Sequence, residues 1–186
     1  WDGTVYLWDA DDGRLLRQMV SHNWGVRSVI WSPDGRWLAS VGAGKDHGEI
    51  IVWEAQSGER VRTLVGHTWA TFAVAWSPDG KKLISGGGDG MLYWWEIDSG
   101  HRTLTRKAHQ GMVYALKVSL DGRILASCGD DSTIHLWDIE SGEHLQTLPL
   151  ERLYERLDIS GIQGITEAQK MTLRALGAVE KELPHV

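Results

Sequence analysis

Two sets of residues in this chain carry the ingredients of nucleophilic catalysis: His67, Ser85 and Asp89, and then His109, Ser127 and Asp131. Acyl transfer to serine needs a hydroxyl, an imidazole to take its proton and a carboxylate to orient that imidazole. Both sets have the same spacing, 18 residues from His to Ser and four from Ser to Asp, and a tryptophan follows six residues after each Asp, at Trp95 and Trp137. His22 and Ser40 repeat the 18-residue interval ahead of Trp53. An enzyme needs one such triad, with an oxyanion hole beside it. A set that recurs serves something every copy requires.

The elements that position these residues repeat as well, and a fixed period decides the whole fold. Segments 21–65, 66–107 and 108–150 each open on a small residue and His, at Ser21-His22, Gly66-His67 and Ala108-His109. Ten residues after each His stands Ser-Pro-Asp-Gly, or Ser-Leu-Asp-Gly at Ser119–Gly122. Each closes on Trp and an acid, Trp53-Glu54, Trp95-Glu96 and Trp137-Asp138, while Trp8-Asp9 supplies a fourth copy of that ending. Successive Trp-acid pairs are 45, 42 and 42 residues apart. Within each unit, Asp-Gly and Ser-Gly turns divide short apolar runs into four strands, since such dipeptides between hydrophobic runs mark hairpins. The expected strands are 26–31, 37–41, 50–53 and 60–64, then 72–76, 82–85, 91–95 and 103–105, then 113–118, 124–128, 133–137 and 145–148. The last strand of each unit is partly polar, as an exposed edge should be.

Gly-His at one end, Trp-Asp at the other and about forty residues between them resemble the WD-repeat family over residues 1–150. The resemblance implies an all-β fold, a partial β-propeller of about three and a half four-stranded blades: a half-blade at 1–20 and full blades at 21–65, 66–107 and 108–150. It also implies a role for the apparent triads. In that family the matching residues form a structural relay from Asp to His, His to Ser and Ser to the indole N–H. The relay positions here are His22, Ser40 and Trp53; His67, Ser85, Asp89 and Trp95; and His109, Ser127, Asp131 and Trp137. The physical need is that a buried indole has one donor that must find a partner. The first full unit departs from the pattern: His47 stands six residues before Trp53, and the turn around Gly44-Lys45-Asp46 is three residues longer. Its relay is expected to be incomplete or completed by Asp46, with the longer loop either a tolerated insertion or a specialised rim contact.

Other chemistries find less support. Val41-Gly-Ala-Gly-Lys45-Asp46 lacks the first glycine and the closing Ser/Thr of a phosphate loop, and no helix follows it. Gly86-Gly87-Gly88 sits in a hairpin turn, with Met91 where a dinucleotide loop needs glycine. The eight histidines do not cluster at metal-ligand spacing along the chain, so neither a metal nor a cofactor is expected. A formal charge of −6 argues against a nucleic-acid footprint. No apolar run reaches membrane-spanning length, so no membrane partner is expected. The single Cys128 fits a reducing compartment and a cytoplasmic location.

What the resemblance leaves is recognition. Partners of such propellers often contact the start of the first strand and the residue before the relay acid. Matched position by position, this points to Arg27, Phe72 and Tyr114, to Met112 two residues before Tyr114, and to Asp130. Trp24 and Trp69 are their neighbours. An arginine, aromatics and a methionine on one rim have the composition of interface anchors, and a protein or peptide is the expected partner.

After residue 150 the repeat stops. In the tail, 151–186, Thr166 and Gln169 form a capping box for a short helix at 167–176, ending at Gly177. Ala168, Met171, Ala175 and Leu176 would share its apolar face. The tail resembles the ending of bacterial multidomain WD-repeat proteins that carry signalling NTPases of the STAND class. The expectation is therefore a non-catalytic protein-binding scaffold, a propeller fragment of a larger regulator. A sensor for an NTPase or protease outside the chain, and a structural self-association module, are the alternatives. An open arc of blades exposes apolar faces, so completion by further blades or by self-association is expected.

Overall fold

A computed structural model describes residues 2–20, 22–149, 158–160, 162, 164, 166–175, 178 and 179. The chain separates into two compact units, Trp1–Leu148 and Pro149–Val186. The first unit consists of antiparallel sheets. β1 (Thr4–Trp8) and β2 (Leu15–Val20) form a two-stranded ribbon. Three four-stranded sheets follow: β3 (Val26–Trp31), β4 (Trp37–Ala43), β5 (Gly48–Glu54) and β6 (Arg60–Val65); β7 (Thr71–Trp76), β8 (Lys82–Gly87), β9 (Met91–Glu96) and β10 (Arg102–Lys107); and β11 (Val113–Val118), β12 (Ile124–Gly129), β13 (Thr133–Asp138) and β14 (His144–Pro149). Strands within each sheet pair in sequence order, and the first strand of one sheet lies against the first strand of the next, β3 by β7 and β7 by β11. This is the arrangement of propeller blades, and the fold is a partial β-propeller with a short helix near its C-terminal end.

The repeated turn residues explain the repeated hairpins. In each Ser-x-Asp-Gly, the Ser Oγ donates to the Asp carboxylate at 2.6 Å and accepts the N–H of Trp37, Lys82 or Ile124 at 2.9–3.0 Å. The glycine takes a left-handed conformation (φ 70°, 69° and 74° at Gly35, Gly80 and Gly122) that other residues adopt only at a cost. The acid after each tryptophan holds the third turn: carboxylates of Glu54 and Asp138 accept the N–H of Ser57 and Ser141 at 2.6 and 2.8 Å.

Core side chains fill the gaps between sheets. Ala39, Val41, Ile50 and Val52 of one sheet meet Val74, Leu83, Tyr93 and Trp95 of the next. Ala73, Ile84, Leu92 and Trp94 in turn meet Val113, Leu116, Leu125 and Trp137. Strand-last arginines tie neighbouring sheets at their rims, as where Arg106 Nε donates to Gly142 O at 2.9 Å and Arg17 Nη2 to Gln56 O at 2.8 Å.

In the second unit, α1 (Glu167–Ala175) is capped as its sequence implies: Thr166 N–H donates to Gln169 Oε1 at 2.8 Å, and Gln169 N–H to Thr166 Oγ1 at 3.3 Å. Ala168 and Met171 are exposed, while Leu173 is half-buried and Ile159 and Ala178 are buried. The backbone bonds Ala178 N to Leu173 O and Ile159 N to Val179 O set that arrangement, which helical periodicity cannot report. The side chain of Ala175, and Leu176 and Gly177, lie outside the described residues.

Candidate functional site: buried relays and an exposed aromatic rim

Strand register brings the relay residues together. In the sheet β7–β10, Trp95 Nε1–H donates to Ser85 Oγ at 2.9 Å, and His67 Nε2 lies 2.8 Å from the same hydroxyl. His67 Nδ1 lies 2.9 Å from Asp89 Oδ1. In β11–β14 the equivalent distances are 3.0 Å (Trp137 to Ser127), 2.8 Å (His109 to Ser127) and 2.8 Å (His109 to Asp131). Proton inventory orders the chain: the indole donates to serine, serine to Nε2, and Nδ1–H to the carboxylate. Each carboxylate also accepts a loop N–H, from Thr68 or Gln110, at 3.0 Å. One acid thus joins the loop between blades to the turn within a blade, at about 1 kcal/mol net per bond.

Burial opposes ionisation of Asp89 and Asp131, but their hydrogen bonds outweigh it. His67 leads for Asp89; Thr133 and His109 lead for Asp131. Both acids are held below the usual carboxylate range. The geometry is that of a hydrolase triad, yet each serine is sealed: Ser40 and Ser85 are 0% exposed and Ser127 is 1% exposed. Each hydroxyl also already holds an indole. No acyl group can reach it.

The sheet β3–β6 holds the serine end of its relay but has no acid hydrogen-bonded to its imidazole among the described residues. His22 Nε2 and Trp53 Nε1 meet Ser40 Oγ at 2.8 and 2.9 Å. Glu49 of β5 stands 3.4 Å from His22 Nδ1, a charge neighbour that makes no hydrogen bond to it. Asp46 instead lines a cleft on the rim. Burial depresses the pKa of His22, with Glu49 opposing that shift, so this imidazole favours its neutral form.

One structural residue escaped the sequence reading. A Cβ at Gly87 would lie 2.4 Å from His67 Nδ1, and one at Gly129 would lie 2.5 Å from His109 Cγ. Gly87 and Gly129 therefore leave the room that His67 and His109 occupy, and Gly42 lies in the same position beside His22. The signal was present as a glycine two residues after every relay serine.

The rim residues assemble across blades. The Arg27 guanidinium stands 5.3 Å from the centre of the Phe72 ring, and Phe72 meets Tyr114 edge-on at 6.2 Å. Tyr114 Oη donates to Asp130, whose other oxygen accepts the Met112 N–H at 3.0 Å. Trp24 and Trp69 are 63% and 60% exposed. With Arg27, Lys45, His47 and Phe72 they line a cleft of about 430 Å³. Trp69 leans over Gly88, where a Cβ would come within 2.7 Å of its ring.

The fold also gathers histidines that are scattered in sequence. A ligand atom from each of His109, Asp131 and His135 lies within 4.8 Å of the others, and His135 Nδ1 is 3.0 Å from His144 Nε2. Hairpin pairing makes neighbours of residues nine apart, which spacing rules for metal ligands do not anticipate.

Four-stranded blades with a buried His-Ser-Trp relay in each define a repeat-built propeller. The family model for the WD domain, G-beta repeat, matches residues 13–54, 58–96 and 100–138, and this chain belongs to the WD-repeat family. Over 46 residues it is 41% identical to Centriole proteome protein 16 of Chlamydomonas reinhardtii, covering 25% of this chain and 2% of that protein. Over 41 residues it is 46% identical to Nuclear distribution protein PAC1 of Arthroderma benhamiae, covering 22% and 9%. Nuclear distribution protein PAC1-1 of Uncinocarpus reesii is 43% identical over 44 residues, covering 24% and 10%. The chain spans a tenth or less of each of these relatives. Among the described residues no helix is long and apolar enough to cross a membrane.

Proposed function

We propose that this chain is a protein-binding scaffold whose partner, a protein or peptide, docks on the rim formed by Trp24, Trp69, Arg27, Phe72, Met112, Tyr114 and Asp130. The observation that carries this reading is the pair of tryptophans at equivalent loop positions, both more than half exposed beside a cleft that contains Arg27 and Lys45. Large aromatics left in water cost free energy that a partner recovers, and Trp and Arg dominate binding hot spots. The buried relays hold this rim and take no part in chemistry.

Two extensions belong to the same proposal. The half-exposed apolar face of β11–β14, with Ala126, Cys128, Ile134 and Leu136, corresponds to the buried Ile84, Leu92 and Trp94 of β7–β10. This supports its being covered by a further blade or a second copy. The tail's resemblance to endings of bacterial multidomain proteins is what favours placing the scaffold in a larger cytoplasmic regulator, with a sensor role for an NTPase or protease domain as the alternative reading.

The test is cross-linking mass spectrometry on cells expressing the full-length protein, wild type against Trp24→Ala/Trp69→Ala. The expected outcome is selective loss of cross-links from the rim, with thermal stability kept within a few degrees. Partner cross-links unchanged by the double substitution overturn the rim assignment.

A further inference from the structure

We infer that His135 and His144, with the hydroxyl of Thr147, form a binding site for a divalent transition-metal ion, Ni²⁺ or Cu²⁺ in preference to Zn²⁺. The three donor atoms make a nearly equilateral triangle. His135 Nδ1 to His144 Nε2 is 3.0 Å, Thr147 Oγ1 to His135 Nδ1 is 3.1 Å, and Thr147 Oγ1 to His144 Nε2 is 3.0 Å.

Hydrogen bonding alone accounts poorly for this triangle. A ring nitrogen presents either one in-plane lone pair or one proton, and a hydroxyl carries a single proton. Two nitrogens and one hydroxyl therefore cannot close three linear hydrogen bonds among themselves. One cation facing the triangle engages a lone pair from each. Ligand atoms about 2.1 Å from one ion stand about 3 Å apart when their angles at the metal are near 90°, and about 3.4 Å apart when tetrahedral. The observed spacing is that of a facial set in tetragonal or octahedral geometry, which Cu²⁺ and Ni²⁺ adopt with imidazole ligands and Zn²⁺ does less readily.

The surroundings suit a bound cation. The hairpin that presents the two imidazoles is closed by Gly142 N–H donating to Asp138 O at 2.9 Å. Each ring is packed, His144 against Trp137 at 5.1 Å and His135 against His109 at 4.6 Å, so little freedom remains to be lost on binding. The Asp131 carboxylate lies within 4.8 Å of a ring nitrogen of His135 and places negative charge behind the site. His144 and Thr147 are exposed, leaving the remaining coordination positions open to water. His109 is not a ligand in this assignment, because Asp131 and Ser127 already occupy both its nitrogens.

The preceding blade supplies the control. Its equivalent residues are Tyr93 and Arg102, the guanidinium 4.4 Å from the centre of the phenol ring, a pair that offers neither imidazole nitrogen. Isothermal titration of the full chain with NiCl₂ is the experiment. Wild type should take up one equivalent. His144→Gln should weaken binding by about tenfold or more, and His135→Tyr/His144→Arg should abolish it. His101→Gln, outside the cluster, should leave it unchanged. Copper titrated into wild type should give an electron paramagnetic resonance spectrum with two nitrogen couplings. Ni²⁺ affinity that is equal in wild type and His144→Gln, or no uptake by wild type at millimolar NiCl₂, overturns the inference. Should the double variant fail to fold, His144→Gln alone decides.

Discussion

In the sheet β7–β10 the ring two residues before the relay tryptophan is Tyr93, stacked 4.2 Å from His67 and covered by Arg102. In β11–β14 the same position holds His135, edge-on to His109 and joined to His144. The relays beneath are nearly superimposable in their distances, and Thr105 and Thr147 occupy matching places on the last strand. The difference separates two kinds of position. Those that satisfy a buried indole repeat unchanged, because the cost of an unpaired donor is the same in every blade. Those on the outer strands are free to carry different chemistry.

The loops show a similar exchange of bulk. In β7–β10 the large Trp69 packs over the small Gly88, while in β11–β14 a Cβ on the small Gly111 would meet Asp130 at 2.5 Å. Each gap is filled once, from opposite sides. The first blade exposes one tryptophan and the second a bound acid, so the rim changes character from one blade to the next.

The comparison is most easily broken at the tryptophans. Trp95→Ala and Trp137→Ala, both 3% exposed, should each lose about 3–5 kcal/mol in denaturant unfolding. Trp8→Ala, 56% exposed in the two-stranded ribbon, should lose far less. Equal losses would deny the relay its stabilising role. Next come the glycines beneath the imidazoles. Gly87→Ala and Gly129→Ala should each cost about 1–3 kcal/mol, by the same denaturant measurement, because His67 or His109 must be displaced.

Acid titration of the melting temperature sharpens the contrast with β3–β6. Asp89 and Asp131 have folded pKa values below the unfolded value of 3.8, so their contribution is complete above that value and is lost as pH falls through the folded pKa. The His22 pKa is also depressed, but from 6.5, and its neutral form is the one the fold prefers. Stability from this site is complete above pH 6.5 and declines as pH falls from there toward the folded pKa. Glu49→Gln removes the opposing charge and should enlarge the loss below pH 6.5, leaving the lower limb to Asp89 and Asp131. A profile unchanged between pH 7 and 5 in both proteins would contradict the assignment of Glu49.

A transplant tests the outer positions. Tyr93→His/Arg102→His, beside Thr105, should add a second equivalent of Ni²⁺ uptake by calorimetry if backbone register alone positions the site. The smallest effect belongs to the turn before the relay strand, where Ser132 takes φ 58° and its counterpart Gly90 takes φ 72°. Ser132→Gly should change stability by no more than about 1 kcal/mol, since relief of strain is offset by greater freedom of the unfolded chain. Gly90→Ala should be worse, because a Cβ there would meet His109 O at 2.5 Å.

Much of the fold was legible because its signals are local. Asp-Gly turns, alternating apolar runs and a period of 42–45 residues define blades without long-range information, and the capping residues Thr166 and Gln169 mark the start of α1. The candidate site was legible only where it repeats. The relay residues recur at fixed spacing and their role is implied by the family resemblance, whereas Glu49 has no such signal. It stands beside His22 from the fourth residue before Trp53, where the other blades have Met91 and Thr133. What covers the apolar stripe of α1 was not legible for a related reason: periodicity names a stripe of side chains but not what packs against it.

From the chain of residues by itself came the blade, its number of strands and the identity of the groups each blade must satisfy, since these depend on neighbours a few positions apart. Tertiary structure decided which acid stands beside His22, how Arg27, Phe72 and Tyr114 align across three sheets, and that His135 and His144 stand 3.0 Å apart. Those contacts depend on strand register and on the approach of one sheet to the next. A slip of one residue would turn every side chain of a strand to its opposite face.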